Sequence, residues 1–415
     1  MEKSTNMSAF LKNRFIRAIL LSGLFLQLGI WIRNFSVLLF VMEQTNGDPF
    51  AVSMISVAEF APIFIFSIIG GTFADRWKPK KTMIWCDLLS AVSVFTVLAT
   101  LMFASWHAVF FAMLISAILS QFSQPSGMKL FKIHVPKEQL QMGMSLYQTL
   151  FAVFMIIGPI IGTFIFQQYG IYLSIALTGI MFLLSAGALL FLPADRAMEE
   201  EKEKTTVLQE LGQGFKYVKN NRFLSILGGN FLVAGLAIGL IQPLGIFIVT
   251  EQLGMDKEFL QWFLAVNGVA MILGGGMALA FSKKIAPIRL LAIGMAVDAI
   301  MISVMGFSNV VWITLIAQFF NGLMMPAIQI SINTMILENS DEKFVGRVNG
   351  IMTPLFMGGM VVMMSFAGVI KEFMSLTMAY QAAAVLFVIG ILLVVPLLIK
   401  PNFPKQDQKV KIETQ

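Results

Sequence analysis

Twelve apolar stretches succeed one another along the chain, and the polar loops between them carry their lysines and arginines on alternate sides. A membrane-crossing helix needs about 20 mostly apolar residues. The stretches lie at 15–41, 50–73, 82–104, 107–128, 143–167, 171–192, 223–249, 258–281, 288–306, 309–334, 346–369 and 375–399. Fully 57% of residues are hydrophobic and only 13% charged, which would cover a water-soluble chain in apolar surface. Hydrocarbon offers no partner for backbone N–H and C=O groups, so a spanning chain is helical or a closed barrel. The runs are long and lack period-two alternation, which selects helices.

The expected fold class is therefore an all-α integral membrane protein of twelve transmembrane helices in two six-helix halves. The first run has no small-residue cleavage site after it and is too long for a signal-peptide core, so a retained helix is expected. Both termini are expected in the cytoplasm of a multi-pass protein of a cell membrane, the bacterial plasma membrane. With that orientation Lys12, Arg14, Arg17, Arg76, Lys78, Lys80, Lys81, Lys129, Lys132 and Lys137 face inward. Of 29 basic residues only Lys257 and Lys371 fall outside, while Arg33 lies within a span. The net charge of +6 then reads as attachment to an anionic leaflet, not as a nucleic-acid footprint.

Cys86 is the single cysteine, and the two histidines, His107 and His134, are distant, so neither a disulfide framework nor a metal cluster is signalled. No phosphate-cradling Gly-x-x-x-x-Gly-Lys-Ser/Thr loop occurs. No cofactor or metal is expected, and energy would come from an ion gradient. The longest polar interval divides the chain into a first half at 1–192, a linker at 193–222, a second half at 223–399 and a tail at 400–415. Within the linker the charge run Glu199–Lys204 reads as a tether. It precedes Leu208, Leu211, Phe215 and Val218 at helical spacing, an amphipathic helix. Gln124-Pro125 and Met325-Pro326, about 200 residues apart, hint at an internal repeat.

The most specific local signal is the loop Gly71-Thr72-Phe73-Ala74-Asp75-Arg76-Trp77-Lys78-Pro79-Lys80-Lys81. At Gly71, Asp75, Arg76, Lys80 and Lys81 it resembles the signature loop of the major facilitator superfamily, with Lys78 where that family has glycine. An acid and bases at helix ends can form pairs that break when halves rock, and Asp87, about a turn into the third span, is expected to partner this loop. The segment Gly158-Pro159-Ile160-Ile161-Gly162-Thr163 resembles the antiporter motif of the superfamily's exporters, with Phe154 and Thr163 replacing two of its glycines. Read by packing alone, proline and glycines there make a kinked, closely packed helix.

Charges inside the membrane are costly and mark partners or wet cavities. At 1.5 Å per residue Arg33 and Glu59 share a depth, each about 13 Å from the same end of consecutive antiparallel spans. They are expected to form an ion pair, either a permanent brace or a proton-coupling device. Asp298, near mid-span on the ninth run, is a second candidate for proton coupling. The resemblance implies that the first, fourth, seventh and tenth helices line a cavity. These helices carry Gln27, Gln121, Gln124, Asn230, Gln242, Gln318, Asn321, Gln329 and Asn333 to orient a ligand. Trp31, Phe35, Phe247, Met324 and Met325 would offer aromatic and polarizable surface.

The expected activity is alternating-access, proton-coupled efflux of hydrophobic or amphipathic drugs, similar to twelve-span drug and macrolide exporters. The expected partners are an amphipathic small molecule, protons and membrane lipid, handled by a monomer. The same resemblance admits lysophospholipid or siderophore transport. A polytopic membrane enzyme is the alternative of another class, but neither histidine opens a His-x-x-x-x-Asp pattern.

Overall fold

The computed structural model describes residues 14–103, 107–135, 137–192, 207–281, 284–341 and 344–399. Helices α1 (Arg14–Gln44), α2 (Pro49–Arg76), α3 (Pro79–Phe103) and α4 (Ala108–His134) are followed by one continuous helical stretch, Lys137–Leu190. That stretch has 54 residues. At 1.5 Å per residue it would be about 80 Å long, far more than a bilayer's thickness of about 30 Å. Gly170 resolves the excess: with φ 72° and ψ −174° it breaks the helical path, giving α5 (137–169) and α6 (171–190). Then come α7 (Val207–Asn220), α8 (Arg222–Ile241), α9 (Leu260–Phe281), α10 (Pro287–Phe307), α11 (Val311–Asn339), α12 (Val345–Met374) and α13 (Leu376–Ile399). Six spans precede α7 and six follow it.

The apolar runs mark depth in lipid, whereas helices continue into the interface, which is why α4 and α11 outlast their runs by one to two turns. Large apolar side chains point outward along the bundle, among them Phe111, Phe164, Ile300 and Leu392. This is the arrangement expected where lipid is the outer solvent.

Two ends of the bundle can be distinguished: the linker end, bearing α7, and the opposite, distal end. α1 and α2 are joined at the distal end by a tight turn whose Asn46 and Gly47 take φ 51° and 80°. Within the first six helices α1 is clasped by α5 and α6. In the second six, α8 packs on α12 and α13, and α10 on α11 and α13. The two sets meet along α2–α12 and α5–α9. At the distal extreme a Cβ built on Gly368 would lie 2.4 Å from the Pro49 carbonyl oxygen, so backbones touch there. Lys257 and Glu43, from opposite sets, form an ion pair across the same end. Lys371 pairs with Glu251 and lies 4.1 Å over the Phe247 ring.

The amphipathic helix anticipated in the linker is α7, and it docks on α12. Gly214 faces the Arg347 backbone, Tyr217 stacks on Phe344 at 4.3 Å, and Val218 is buried. Tyr217 also donates to Asp341 at 3.2 Å and accepts from its backbone N–H at 3.1 Å. Asn221 then caps α8 by accepting from the backbone N–H groups of Phe223 and Leu224. The run Glu199–Lys204 and the tail 400–415 lie outside the described residues.

Gly170 gives a direct test, because its backbone region is open essentially to glycine alone. Its Cβ position is unobstructed, so any penalty is conformational and not steric. Gly170→Ala is expected to destabilise the protein by about 1–3 kcal/mol, read as a lower midpoint of thermal unfolding in detergent, with helix content unchanged at low temperature.

Candidate functional site

Arg33 and Asp87 are the most buried charges among the described residues of the first six helices, each only 3% exposed, and Arg33 stands in a polar chain. Its Nε and Nη2 donate to Asn34 Oδ1 at 3.1 and 2.8 Å, and Asn34 Nδ2 donates to Glu59 Oε1 at 2.7 Å. The direct Arg33–Glu59 ion pair expected from their common depth is thus corrected: a neutral amide stands between the two charges. The shared depth is real, but Asn34, adjacent to Arg33, reaches Glu59 first. The third guanidinium nitrogen, Nη1, is buried without a hydrogen-bond partner. Glu59 is half-buried, and Pro62 follows it by three residues, leaving the Ala58 carbonyl without its helical donor. The relay therefore sits where α2 is locally weakened.

Asn34 was missed by sequence reading. An asparagine next to an intramembrane arginine, whose amide can both accept and donate, is the signal that could have found it.

In the second six helices Asp298, 6% exposed, accepts from Asn321 Nδ2 at 3.0 Å. Thus α10 and α11 are joined by an acid–amide contact. The inner face of α11 carries Gln318, Asn321, Met325, Gln329 and Asn333. Its opposite face carries Ile313, Ile316 and Phe320 toward the outside. Gln318 is buried, but Met325 is 49% exposed and Gln329 and Asn333 are exposed too. Along one polar face, solvent access therefore grows from the distal toward the linker end. Gln242 is likewise exposed, at a break in α8 where Pro243 cannot donate and the chain turns 3-10 over Gln242–Leu244. A π-helical turn, Ile248–Gln252, completes this interrupted span. The broken segment meets both α2 and α12.

Several expected cavity residues lie elsewhere. Asn230 points into the α8–α10–α13 packing, with Nδ2 3.5 Å from Met295 Sδ and Oδ1 buried without a partner. Phe247 is buried beneath Lys371, and Met324 packs toward Gly294 of α10. Gln27 is buried, and the buried Gln121 amide bonds within its own helix, to Ser120 Oγ at 3.1 Å. The side chains of Gln124, Gly71, Asp75 and Arg76 lie outside the described residues.

The expected partnership of Asp87 with the Gly71–Lys81 loop falls in part on side chains, Gly71 to Arg76, that lie outside the described residues. Among the described residues its hydrogen bond comes from α6: Ser185 Oγ donates to Asp87 Oδ2 at 2.6 Å, and Ser185 Oγ lies 2.8 Å from Ser22 Oγ of α1. Asp87 lies about 12 Å along α3 from Pro79. From the loop itself Lys80 reaches α6, donating to the carbonyls of Leu190 and Leu192, where a cation suits a helix C-terminus. Lys81 is exposed.

The Gly158-Pro159-Ile160-Ile161-Gly162 segment serves close packing in this geometry. A Cβ on Gly158 would lie 2.4 Å from Trp31 Cδ2, and one on Gly162 2.7 Å from the Trp31 carbonyl oxygen. Trp31 in turn stacks on Phe35 at 5.9 Å. The two glycines thereby let α5 hold α1, and so the register of Arg33 and Asn34 one turn on.

A bundle of twelve membrane-crossing helices, with a polar face opening toward one end and buried charges beside a broken span, defines a membrane transporter. The chain belongs to the Major Facilitator Superfamily, whose family model matches residues 19–247 and 227–414. It is 26% identical over 362 residues to the uncharacterized MFS-type transporter YkuC of Bacillus subtilis, covering 83% of each chain. It is 24% identical over 315 residues to the multidrug resistance protein MdtG of Salmonella schwarzengrund, covering 72% of this chain and 74% of that one. The fold is similar to that of the nucleoside transporter NupG, with TM-score 0.72, 12% identity, and 94% and 100% of the two chains covered. It is also similar to a bacterial homologue of the lysosomal transporter Spinster, with TM-score 0.70, 13% identity, and 95% and 99% covered.

The packing role of Gly158 is testable by a double-mutant cycle. Gly158→Ala is expected to destabilise the protein by about 1–3 kcal/mol through overpacking against Trp31. Combined with Trp31→Ala its effect should shrink, giving a coupling of roughly 0.5–3 kcal/mol in thermal unfolding.

Proposed function

We propose that this transporter exports hydrophobic or amphipathic, drug-like small molecules in exchange for protons, by alternating access in a cell membrane with both termini cytoplasmic. The observation that carries the reading is the Arg33–Asn34–Glu59 relay. Asn34 accepts from a guanidinium and donates to a carboxylate, so the amide passes the arginine's field to Glu59 while holding α1 to α2. A carboxyl that loses this donor is more stable neutral in an apolar surround. Separation of α1 from α2 and proton uptake are thereby linked, which is the requirement of a coupling device. Asp298, held only by a neutral amide among the described residues, is the second candidate in the other half.

The distal contacts Gly368–Pro49 and Glu43–Lys257, with the exposed Gln329 and Asn333, support the reading of a state open at the linker end. Substrate enters there, from cytosol or inner leaflet, and meets a surface of Met325, Gln329 and Gln242 in which amides orient and a thioether adapts. Helices with interruptions at the binding depth are the arrangement alternating access uses, and α8 supplies one. Similarity to the multidrug resistance protein MdtG supports drug-like substrates at the level of class. The Gly158–Gly162 segment, with its exporter resemblance, supports the outward direction.

Efflux of a fluorescent lipophilic cation and of a labelled macrolide from cells expressing the chain, with and without a protonophore, tests the reading. Efflux is expected to be protonophore-sensitive and lost in Glu59→Gln. Asn34→Leu, which removes a charge-assisted hydrogen bond, should lower it by roughly tenfold or more. Export of neither compound by folded protein would overturn the drug reading, and efflux of equal rate in Glu59→Gln would remove Glu59 from coupling.

A further inference from the structure

Outside the central path, at the linker end of α3 and α4, lies a groove of about 560 Å³. Its apolar floor is formed by Leu89, Leu119 and Phe122, and its rim by Trp77, Trp85, Lys78 and Lys81. Trp77 stacks on Phe122 at 5.9 Å, which fixes the rim against the α4 side of the groove. Trp85 is 62% exposed, and its indole N–H has no acceptor among the described residues. Lys78 and Lys81 are exposed and their ammonium groups have no ion-pair or hydrogen-bond partner among the described residues, in contrast to Lys80, which is engaged at the end of α6. The groove is thus apolar in depth, aromatic at its edge and doubly cationic at its mouth.

These features coincide with the layers of a bilayer leaflet. Tryptophans settle at the interface, lysines extend toward headgroups, and apolar side chains lie beside acyl chains. The volume is within the range of sites that hold small amphiphiles. Free phosphate would use the two lysines and leave the apolar floor idle, whereas a neutral lipid would use the floor and leave both cations unmatched. We propose that this groove binds one anionic phospholipid, with its phosphate between Lys78 and Lys81 and an acyl chain along Leu89 and Leu119.

The position gives the site a consequence. Lys78 and Lys81 flank Lys80, so a lipid held there would brace the α2–α3 turn that is tied to the end of α6. Such a site is the same whichever leaflet the linker end occupies, and whatever substrate or coupling ion the central path carries.

Native mass spectrometry of the full chain in detergent, with phosphatidylglycerol and phosphatidylcholine of identical acyl chains, tests it. Phosphatidylglycerol should be retained preferentially, and the Lys78→Gln/Lys81→Gln variant should bind it about tenfold or more weakly while binding phosphatidylcholine as before. Lys78→Arg/Lys81→Arg should retain the preference, and soluble glycerol phosphate should not displace the lipid. Tryptophan quenching by phosphatidylglycerol with brominated chains, stronger than by brominated phosphatidylcholine, provides a measurement that needs no variant. Equal retention and quenching by the two lipids, an unchanged preference in the glutamine variant, or displacement by glycerol phosphate would overturn the site.

Discussion

Every other feature of this chain depends on one constraint: in hydrocarbon the backbone must satisfy its own hydrogen bonds. Uninterrupted helices meet that demand at once, which leaves the few interruptions conspicuous. Gly170 turns the chain back between α5 and α6, Pro62 loosens α2 beside Glu59, and Pro243 opens α8 at Gln242. Prolines also stand inside α5, α11, α12 and α13, at Pro159, Pro326, Pro354 and Pro396, and the breaks at Pro62 and Pro243 lie beside the half-buried Glu59 and the exposed Gln242. Irregular backbone is tolerated in a membrane where protein or a wet cavity can receive the freed groups. At Pro62 and Pro243 the interruption and the polar side chain therefore occur together.

The buried Asp87 is held by the Ser185 hydroxyl, whereas Glu59 of the first six-helix set and Asp298 of the second differ from each other in their surroundings. In the first, a cation balances Glu59 through an amide, so the charge is compensated but not contacted. In the second, Asp298 has an amide alone among the described residues. Burial of an ion pair is repaid only when geometry is close and remaining groups are satisfied. Here Arg33 Nη1 lacks a partner, so the relay is not a fully satisfied brace. A side chain with one idle donor has a reason to exchange partners.

Hydropathy and loop charge made the helix count legible, because lipid imposes one length scale on every span and apolar runs measure it. The ends were less legible: α11 runs on to Asn339 because helix propensity does not stop where hydrocarbon does. Depth along a helix could be computed for Arg33 and Glu59, but azimuth could not, and azimuth decides contact. That is why Asn34 was missed, why Asn230 was assigned to the wrong side of α8, and why the contact of Ser185 with Asp87 was not foreseen. Gly158 and Gly162 were readable as packing residues, yet their counterpart Trp31 is far away in sequence, on the first span, and nothing local announces it.

The ion pair between Glu43 and Lys257 joins the two halves at a surface where both side chains keep part of their exposure, 47% and 20% respectively. An exposed pair contributes roughly 0.2–1 kcal/mol, a bias of at most about fivefold between joined and separated states. The backbone contact at Gly368 does not respond to electrolyte, whereas this pair does, since the screening length is about 8 Å at physiological ionic strength. The balance between the protein's two faces is thus coupled to the salinity of the compartment that bathes its distal end.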